Sequence, residues 1–370
     1  MSAPAGEAAR VSTLELFFDL VFVFTITQLT AVLFADPTAR GLLRVSLMLG
    51  VIWYMYGGYA WLTNAVAPDR AGRRLLLLGG MAAFLVLALT IPRAFSGGGP
   101  AFGLAYVAAV AVHAALFTRA ASGGVVRAIL RLAPFNLASA LLVLFAETLG
   151  GAAEYAVWAL ALALQWTASR LASGGGFEVA PAHFVERHGL VVLIALGESV
   201  VAVGTGALRL PVDAPLAGVA VLGLGLNACL WWAYFGGDDG RAERALDEAA
   251  RARRPALALT AFGYGHLPLL LGVIAVASAL REATGRPFAD LDGPRALALA
   301  GGVSLFLLGE ALFRRSLGIG LGRWRAVMGV LALATIPLGV AVAAVAQLAA
   351  LVGLLVAGFA AEYAAAKRRA

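Results

Sequence analysis

The stretch from residue 11 to residue 34, VSTLELFFDLVFVFTITQLTAVLF, is apolar enough to cross a bilayer, yet it contains Glu15 and Asp19. A spanning helix needs about 20 mainly apolar residues, and a carboxylate in hydrocarbon costs about 3 kcal/mol or more. The two acids are four residues apart, so a helix would place them on one face. At about 1.5 Å per residue, Asp19 would lie roughly 9 Å inside a span that begins near Thr13. Glu15 is either an interfacial first-turn residue or part of an intramembrane site, whereas Asp19 is predicted to be intramembrane.

Composition places the whole chain in the class of membrane proteins. Of its 370 residues, 61% are hydrophobic and 13% are charged, a balance that soluble domains do not carry. The formal net charge is +7, but the arginines lie in short clusters between apolar runs, so we expect no nucleic-acid partner. The single cysteine, Cys229, excludes a disulfide framework and a thiolate metal site. The single lysine, Lys367, lies in the C-terminal tail, and we expect no lysine-bound or other cofactor.

Apolar runs bounded by charged residues or by Gly, Pro and Asp predict an all-α fold with about twelve transmembrane helices. The last two runs share one nearly continuous apolar stretch from Trp324 to Tyr363, which is too long for one crossing, so we expect a tight turn near residues 342–346. The predicted helices cover residues 13–34, 41–62, 75–92, 101–118, 126–147, 152–171, 188–208, 214–235, 256–280, 295–313, 325–342 and 344–363.

The basic residues predict the orientation of these helices. If the N-terminus is cytoplasmic, 21 of the 28 lysines and arginines, Arg187 among them, fall in cytoplasmic segments. Cytoplasmic segments of membrane proteins carry such an excess. We therefore expect an even number of spans, both termini in the cytoplasm, and a multi-pass protein of the bacterial inner membrane.

Two features recur in register along the chain. Trp53-Tyr-Met-Tyr-Gly-Gly ends the second apolar run, and Trp232-Ala-Tyr-Phe-Gly-Gly ends the eighth, 179 residues later. Arginine pairs at 73–74 and 253–254 follow them, 180 residues apart. Six spans per half make such a repeat parallel, a common plan among transporters, whose ligand site lies between the halves. The predicted halves are residues 1–175 and 176–370.

The seventh apolar run contains a second candidate acid. Glu198, followed by Ser199, is about ten residues inside, which is roughly 15 Å and near the bilayer centre. A carboxylic acid there can exchange protons or hold a cation when a cavity opens. The alternative is a protonated glutamate that joins two helices by a hydrogen bond. Glu186 opens this run at its cytoplasmic mouth, as Glu15 opens the first run.

The ninth run contains His266, in Tyr264-Gly-His266-Leu-Pro268, at a depth similar to that of Glu198. Pro268 predicts a kinked or broken helix, and such helices often line cavities. A lone intramembrane histidine is also a common packing residue, so both readings stay open. If the halves repeat, Asp19 and Glu198 converge on a central acidic site with His266 nearby.

Three further patterns have simpler interpretations. Glu310 and Arg314 are four residues apart near a helix end and predict a local ion pair. The tryptophans and tyrosines at residues 53–61 and 231–234 predict an interfacial aromatic belt. The chain has no Walker sequence and no cluster of cysteines or histidines that would bind a metal.

Four blocks of sequence, in order, resemble the bacterial low temperature requirement protein A family. They are Glu15-Leu-Phe-Phe-Asp19-Leu-Val-Phe-Val-Phe, Glu186-Arg-His-Gly with Leu196-Gly-Glu198-Ser199, Trp231-Trp232-Ala-Tyr-Phe, and Tyr264-Gly-His266-Leu-Pro268. The resemblance implies a polytopic protein of the bacterial inner membrane, linked by name to growth in the cold. It also implies that the family's recurrent acids and histidine fall on Glu15, Asp19, Glu186, Glu198 and His266.

Three classes of function fit these observations. The leading hypothesis is a secondary transporter that could be proton-coupled, in which Asp19 and Glu198 bind the coupling ion or substrate and His266 relays or orients. The second is a membrane-embedded enzyme acting on a lipid-linked substrate, which is less favoured. The third is a structural or sensory membrane protein for cold adaptation. Expected partners are membrane lipids and a small molecule or ion. The candidate binding residues are Asp19, Glu198, His266, Glu15, Glu186 and Ser199.

Overall fold

A computed structural model describes residues 11–65, 70–97, 99–120, 123–172, 178–208, 210–320 and 322–368, in which helices predominate and no strand occurs. A short 3₁₀ helix, Ile91–Arg93, and a π-helix, Leu259–Tyr264, accompany the α-helices. In chain order the α-helices are α1 (Thr13–Ala35), α2 (Ala39–Ala65), α3 (Ala71–Thr90), α4 (Ala101–Ala120), α5 (Gly123–Ala146), α6 (Gly151–Ala172), α7 (Pro181–Ala207), α8 (Ala214–Phe235), α9 (Asp238–Glu248), α10 (Arg254–Ala258), α11 (His266–Gly285), α12 (Gly293–Leu317), α13 (Arg323–Leu333), α14 (Ile336–Ala341) and α15 (Ala344–Lys367).

Within the described ranges, ten helical stretches are long and apolar enough to cross a membrane. They are Thr13–Ala35, Ala39–Ala65, Ala71–Arg93, Ala101–Thr118, Pro181–Ala207, Ala214–Glu248, Arg254–Gly285, Gly293–Leu317, Arg323–Ala341 and Ala344–Lys367. The predicted runs at 126–147 and 152–171 are helical as α5 and α6, but α5 supplies only a shorter apolar helix, Leu130–Ala146. This architecture is that of a multi-pass membrane protein, whereas the count of twelve, the parallel repeat and the cytoplasmic termini stay predictions.

The chain forms two compact units, and each unit combines separate stretches of sequence. The first unit comprises Met1–Gln28, Leu47–Val191 and Asp239–Gly263. The second comprises Leu29–Ser46, Val192–Asp238 and Tyr264–Ala370. The boundary expected from the repeat, between residues 175 and 176, lies outside the described residues.

Aromatic side chains form the core of the first unit. Phe22 and Tyr56 have ring centroids 4.3 Å apart, Phe18 and Tyr59 5.0 Å apart, and Phe18 and Phe84 5.2 Å apart. All five side chains are buried. The interfacial aromatic belt predicted for residues 53–61 is therefore wrong for Tyr56 and Tyr59, because their hydroxyl groups have buried protein partners.

Glycines let two helices of the second unit approach closely. A Cβ atom on Gly272 of α11 would lie 2.6 Å from the carbonyl oxygen of Gly302 in α12. A Cβ atom on Gly302 would lie 2.8 Å from the carbonyl oxygen of Gly272. Small residues at such crossings are typical of membrane helices, which gain stability from backbone-close packing.

The apolar stretch near the C-terminus turns between α14 and α15, as predicted for residues 342–346. Ala344 and Val345 donate their backbone N–H groups to the carbonyl oxygens of Ala289 and Pro287, both at 2.9 Å. The first N–H groups of a helix have no partner within the helix. The loop before α12 supplies those partners here, which allows the chain to turn between two apolar helices.

Candidate functional site

Glu15 caps α1 and also contacts a second helix. Its Oε2 atom accepts hydrogen bonds from Ser12 N at 2.9 Å and Ser12 Oγ at 2.7 Å, while Glu15 N donates to Ser12 Oγ at 3.4 Å. This reciprocal pattern is the capping box of a Ser-x-x-Glu sequence. The other oxygen, Oε1, lies 3.0 Å from Arg187 Nη1 and 3.1 Å from His183 Nε2, both on α7. Glu15 therefore fixes the start of α1 and holds α7 against it.

Asp19 lies one turn deeper in α1 and is fully buried. Its Oδ1 atom accepts hydrogen bonds from the Tyr56 hydroxyl at 2.8 Å and from Arg187 Nη2 at 3.3 Å. No donor among the described residues hydrogen-bonds to Oδ2. Leaving a buried acceptor unsatisfied costs about 1–3 kcal/mol, and more when it is charged. The Asp19 carboxylate is therefore only partly compensated by its surroundings.

Arg187 connects three helices of the first unit although its side chain is only 1% exposed. Its guanidinium donates to Glu15 and Asp19 on α1, and to the Tyr56 hydroxyl (3.4 Å from Nε) and the Thr63 hydroxyl on α2. The guanidinium carbon also lies 5.7 Å from the centroid of the Phe18 ring, within the range of a cation–π interaction. Two carboxylates stabilise this buried cation, and nearly all of its N–H groups donate hydrogen bonds to protein oxygens.

His183 contacts Glu15, and Asn64 in turn contacts His183. Asn64 Oδ1 accepts from Ala180 N at 3.0 Å, so its Nδ2 is the group that lies 3.2 Å from His183 Nδ1. If Nδ1 accepts from Asn64, the ring proton is on Nε2, which then donates to Glu15 Oε1. The asparagine at the end of α2 thereby sets the tautomer of the histidine at the start of α7.

The sequence interpretation placed Arg187 among the cytoplasmic arginines and did not find its role. A signal was present, because two acids in an apolar run require a cation nearby. His183 and Arg187 are also four residues apart, hence on one face of α7. What the sequence lacked was the contact itself, since Glu15 and Arg187 are separated by 172 residues of chain.

Glu186 precedes Arg187 on α7, and its side chain is exposed. Its Oε2 atom accepts a hydrogen bond from Val11 N at 3.3 Å, just before α1 begins. Glu15, Asp19 and Glu186 therefore gather where α1 and α7 begin. This set, together with Arg187, is called the Arg187 cluster below.

Glu198, Ser199 and His266 belong to the second unit. Glu198 is partly buried and Ser199 is buried, and both follow the middle of α7. His266 is fully buried, and its Nε2 atom lies 2.8 Å from the Tyr234 hydroxyl of α8. The expected convergence of Asp19, Glu198 and His266 stays a prediction.

The helix that carries His266 is interrupted, as Pro268 predicted. A π-helical segment, Leu259–Tyr264, separates α10 from α11, and His266 is the first residue of α11. In the first unit, Trp53 Nε1 donates to the carbonyl oxygen of Gly263 at 2.7 Å. π-Helical turns are rare and are often found at functional sites. This turn sets the position of the chain directly before His266.

The Arg187 cluster is suited to protons or to a polar ligand and not to a metal ion. A guanidinium occupies its centre and would repel a cation held by Glu15 and Asp19. In the described part of the chain, no three His, Cys, Asp or Glu side chains are grouped as metal ligands would be.

The chain matches known proteins over most of its length. Residues 10–360 match the sequence model of the bacterial low temperature requirement A protein (LtrA). An uncharacterized protein of Rhizobium meliloti (strain 1021) is 28% identical over 327 residues, which cover 84% of this chain and 78% of that protein. The family match includes all the residues of the Arg187 cluster as well as Glu198, Ser199 and His266. The chain therefore belongs to the bacterial low temperature requirement A family.

Proposed function

We propose that this protein is a secondary transporter of the bacterial inner membrane that couples transport to protons, with Asp19 as a proton-binding residue. The observation that carries this proposal is the environment of Asp19. Its side chain is fully buried, one oxygen has two donors, and no described donor reaches the other oxygen.

The charges of the cluster support proton binding. Glu15 and Asp19 carry two carboxylates, and Arg187 offsets one of them. An uncompensated buried charge is costly, and a carboxyl group relieves that cost by taking up a proton. Glu15 already accepts four contacts, from Ser12, His183 and Arg187. Protonation of Asp19 should therefore stabilise the folded protein more than protonation of Glu15.

The cluster also has a polar connection toward the start of α1. Glu186 is exposed and bonds to Val11, and Ser12 next to it donates to Glu15. Glu15 and Asp19 then contact the same guanidinium, one turn apart. Polar groups therefore extend from the exposed helix end to the buried Asp19.

Protonation of Asp19 would change the partners of Arg187. A neutral Asp19 binds the guanidinium less strongly than a carboxylate does, because charge-assisted hydrogen bonds are about twice as strong as neutral ones. Arg187 would then be available to an anionic group of a substrate. This exchange would couple proton binding to substrate binding at one residue, with Glu198 and His266 contributing a second polar site.

The proposal is tested with purified protein in liposomes that contain a pH-sensitive dye. A membrane potential set by potassium and valinomycin drives protons inward. Wild-type protein should acidify the interior faster than protein-free liposomes, and Asp19→Asn should abolish that difference. Asp36→Asn is the matched control, because Asp36 follows the other end of α1 and bonds to Thr38 and Arg44.

Equal flux in wild type and Asp19→Asn, above the protein-free background, would contradict proton binding at Asp19. One observation favours a structural role instead, because Arg187 joins α1, α2 and α7 through its hydrogen bonds. That role predicts that Asp19→Asn lowers the unfolding temperature in the same measure as it lowers flux. A folded Asp19→Asn variant that carries no protons separates the two functions.

A further inference from the structure

A second buried charge cluster lies in the second unit, around Glu310. Glu310 and Arg314 are on the last turns of α12, Asp238 begins α9, Arg325 is on the first turn of α13, and Glu362 is near the end of α15. The Glu310 and Asp238 side chains are 0% and 1% exposed. The ion pair predicted for Glu310 and Arg314 is present at 3.5 Å, but it is one contact of a larger network.

Arg314 gives its strongest contacts to other acids. Its Nε atom lies 2.5 Å from Asp238 Oδ2, and its Nη1 atom lies 2.5 Å from Glu362 Oε1. Nε carries a single hydrogen, and that hydrogen is used by Asp238. Glu310 Oε1, at 3.5 Å from the same nitrogen, therefore has the proximity of the charge without a hydrogen bond.

Arg325 makes no hydrogen bond to Glu310 either. Its Nη1 atom lies 3.2 Å from Glu362 Oε2, and its guanidinium carbon lies 4.6 Å from the centroid of the Phe359 ring. Glu362 thus contacts both arginines. In the described part of the chain, no N–H or O–H donor hydrogen-bonds to either oxygen of Glu310.

The group that does face Glu310 is another carboxyl group. Arg314 Nε lies within 3.5 Å of both Glu310 Oε1 and Asp238 Oδ2. The carboxyl groups of Asp238 and Glu310 are therefore neighbours around one guanidinium nitrogen. Two ionised carboxylates have no hydrogen to share and repel each other, whereas one proton converts the contact into a hydrogen bond.

We propose that Asp238 and Glu310 form a proton-binding carboxyl pair, in which Glu310 holds the proton and donates it to the Asp238 carboxylate. With that proton, Asp238 and Glu362 are two anions that face the two cations Arg314 and Arg325, and the buried network is electrically balanced. A metal cation is excluded from the same position by Arg314, which contacts both acids. This site goes beyond the proposed function, because it lies in the other unit and involves none of the residues around Asp19.

Glu362 is the member of the network that lies nearest to solvent. Glu362 is 21% exposed, and Arg314 connects it to Asp238. When Glu310 loses its proton, the carboxyl pair gains one negative charge.

Infrared spectroscopy of the purified full-length protein in lipid nanodiscs tests this proposal at neutral pH. A protonated carboxylic acid has a C=O stretching band that is separate from the carboxylate bands. Glu310→Gln should remove one such band relative to wild type. Glu362→Gln is the matched control and should leave that band in place, because Glu362 contacts the two arginines and is not a member of the proposed pair. Identical acid bands in wild type and Glu310→Gln would overturn the proposal.

Two further measurements keep the test decisive if one variant folds poorly. Asp238→Asn should also remove the acid band of Glu310, because without the Asp238 carboxylate Glu310 becomes the second anion that balances Arg314 and Arg325; an unchanged band would overturn the pair. Thermal unfolding is the second measurement, because Glu310→Gln and Glu362→Gln should have different unfolding midpoints. Glu310→Gln should keep the wild-type midpoint, since the amide N–H replaces the acid O–H as donor to Asp238. A midpoint lowered as far as in Glu362→Gln would show that Glu310 is an ionised partner of Arg314.

Discussion

Arg187 Nη1 lies 3.0 Å from Glu15 Oε1, and the other terminal nitrogen of the same guanidinium lies 3.3 Å from Asp19 Oδ1. A buried cation is thereby shared by two acids on successive turns of α1. Two carboxylates are unusual at the start of a spanning helix. Here the positive charge of Arg187 on α7 balances them in part.

Arg187→Gln should destabilise the first unit strongly. The change leaves two buried carboxylates without their cation, and removing one partner of a buried ion pair typically costs about 3–5 kcal/mol. The matched control is Arg286→Gln, which breaks an exposed pair with Glu282 four residues away and should change stability little. Thermal unfolding of both variants in detergent measures the difference. A similar small change in both midpoints would show that Arg187 is not a structural cation.

Tyr56→Phe should cost more stability than Tyr59→Phe. The Tyr56 hydroxyl donates to the Asp19 carboxylate at 2.8 Å, whereas the Tyr59 hydroxyl donates to the carbonyl oxygen of Ala109 at 2.9 Å. Hydrogen bonds to charged groups contribute about 1.5–3 kcal/mol and neutral ones about 0.5–1.5 kcal/mol. Unfolding midpoints of the two variants provide the comparison, and the reverse order would argue against a charged Asp19 in the resting protein.

Glu147, directly after α5, should make stability depend on pH. Burial raises the pKa of its carboxyl group from an ordinary value of 4.5 to about 7, against the opposing effect of the hydrogen bond from Gly103 N. Because the folded protein binds this proton more tightly than the unfolded chain does, stability should be highest below pH 4.5 and fall as the pH rises to about 7.

The pH dependence is measured by thermal unfolding of wild type and Glu147→Gln across that range. The glutamine variant should lose the fall in stability between the two pH values. A Glu147→Gln curve parallel to that of wild type would assign the pH dependence to another group.

Gly272→Ala should destabilise the contact of α11 with α12. The added Cβ would lie 2.6 Å from the carbonyl oxygen of Gly302 and 2.7 Å from Phe306 N, so the two backbones must separate. Overpacking of this kind costs about 1–3 kcal/mol. Gly218→Ala in α8 is the control, because its Cβ would meet no atom within 4 Å. If both variants unfold at the wild-type temperature, the helices are not held in backbone contact.

The sequence predicted the features that depend on local chain properties. Apolar length required the turn near residues 342–346, and Pro268 required an interruption near His266; both are present. Tyr56 and Tyr59 of α2 were wrongly assigned to an interfacial belt. One sequence does not distinguish a tyrosine at the membrane interface from a tyrosine whose hydroxyl group has a buried partner. The contacts of Arg187 and of Glu310 with Asp238 and Glu362 depend on how distant helices pack, and no pattern within one helix encodes that.

The turn between α14 and α15 is held by main-chain carbonyl groups of Pro287 and Ala289. A carbonyl oxygen is present whichever side chain a residue bears. The connector before α12 should therefore accept many substitutions. It should not accept a change of length, because one inserted or deleted residue would move those oxygens away from the first turn of α15.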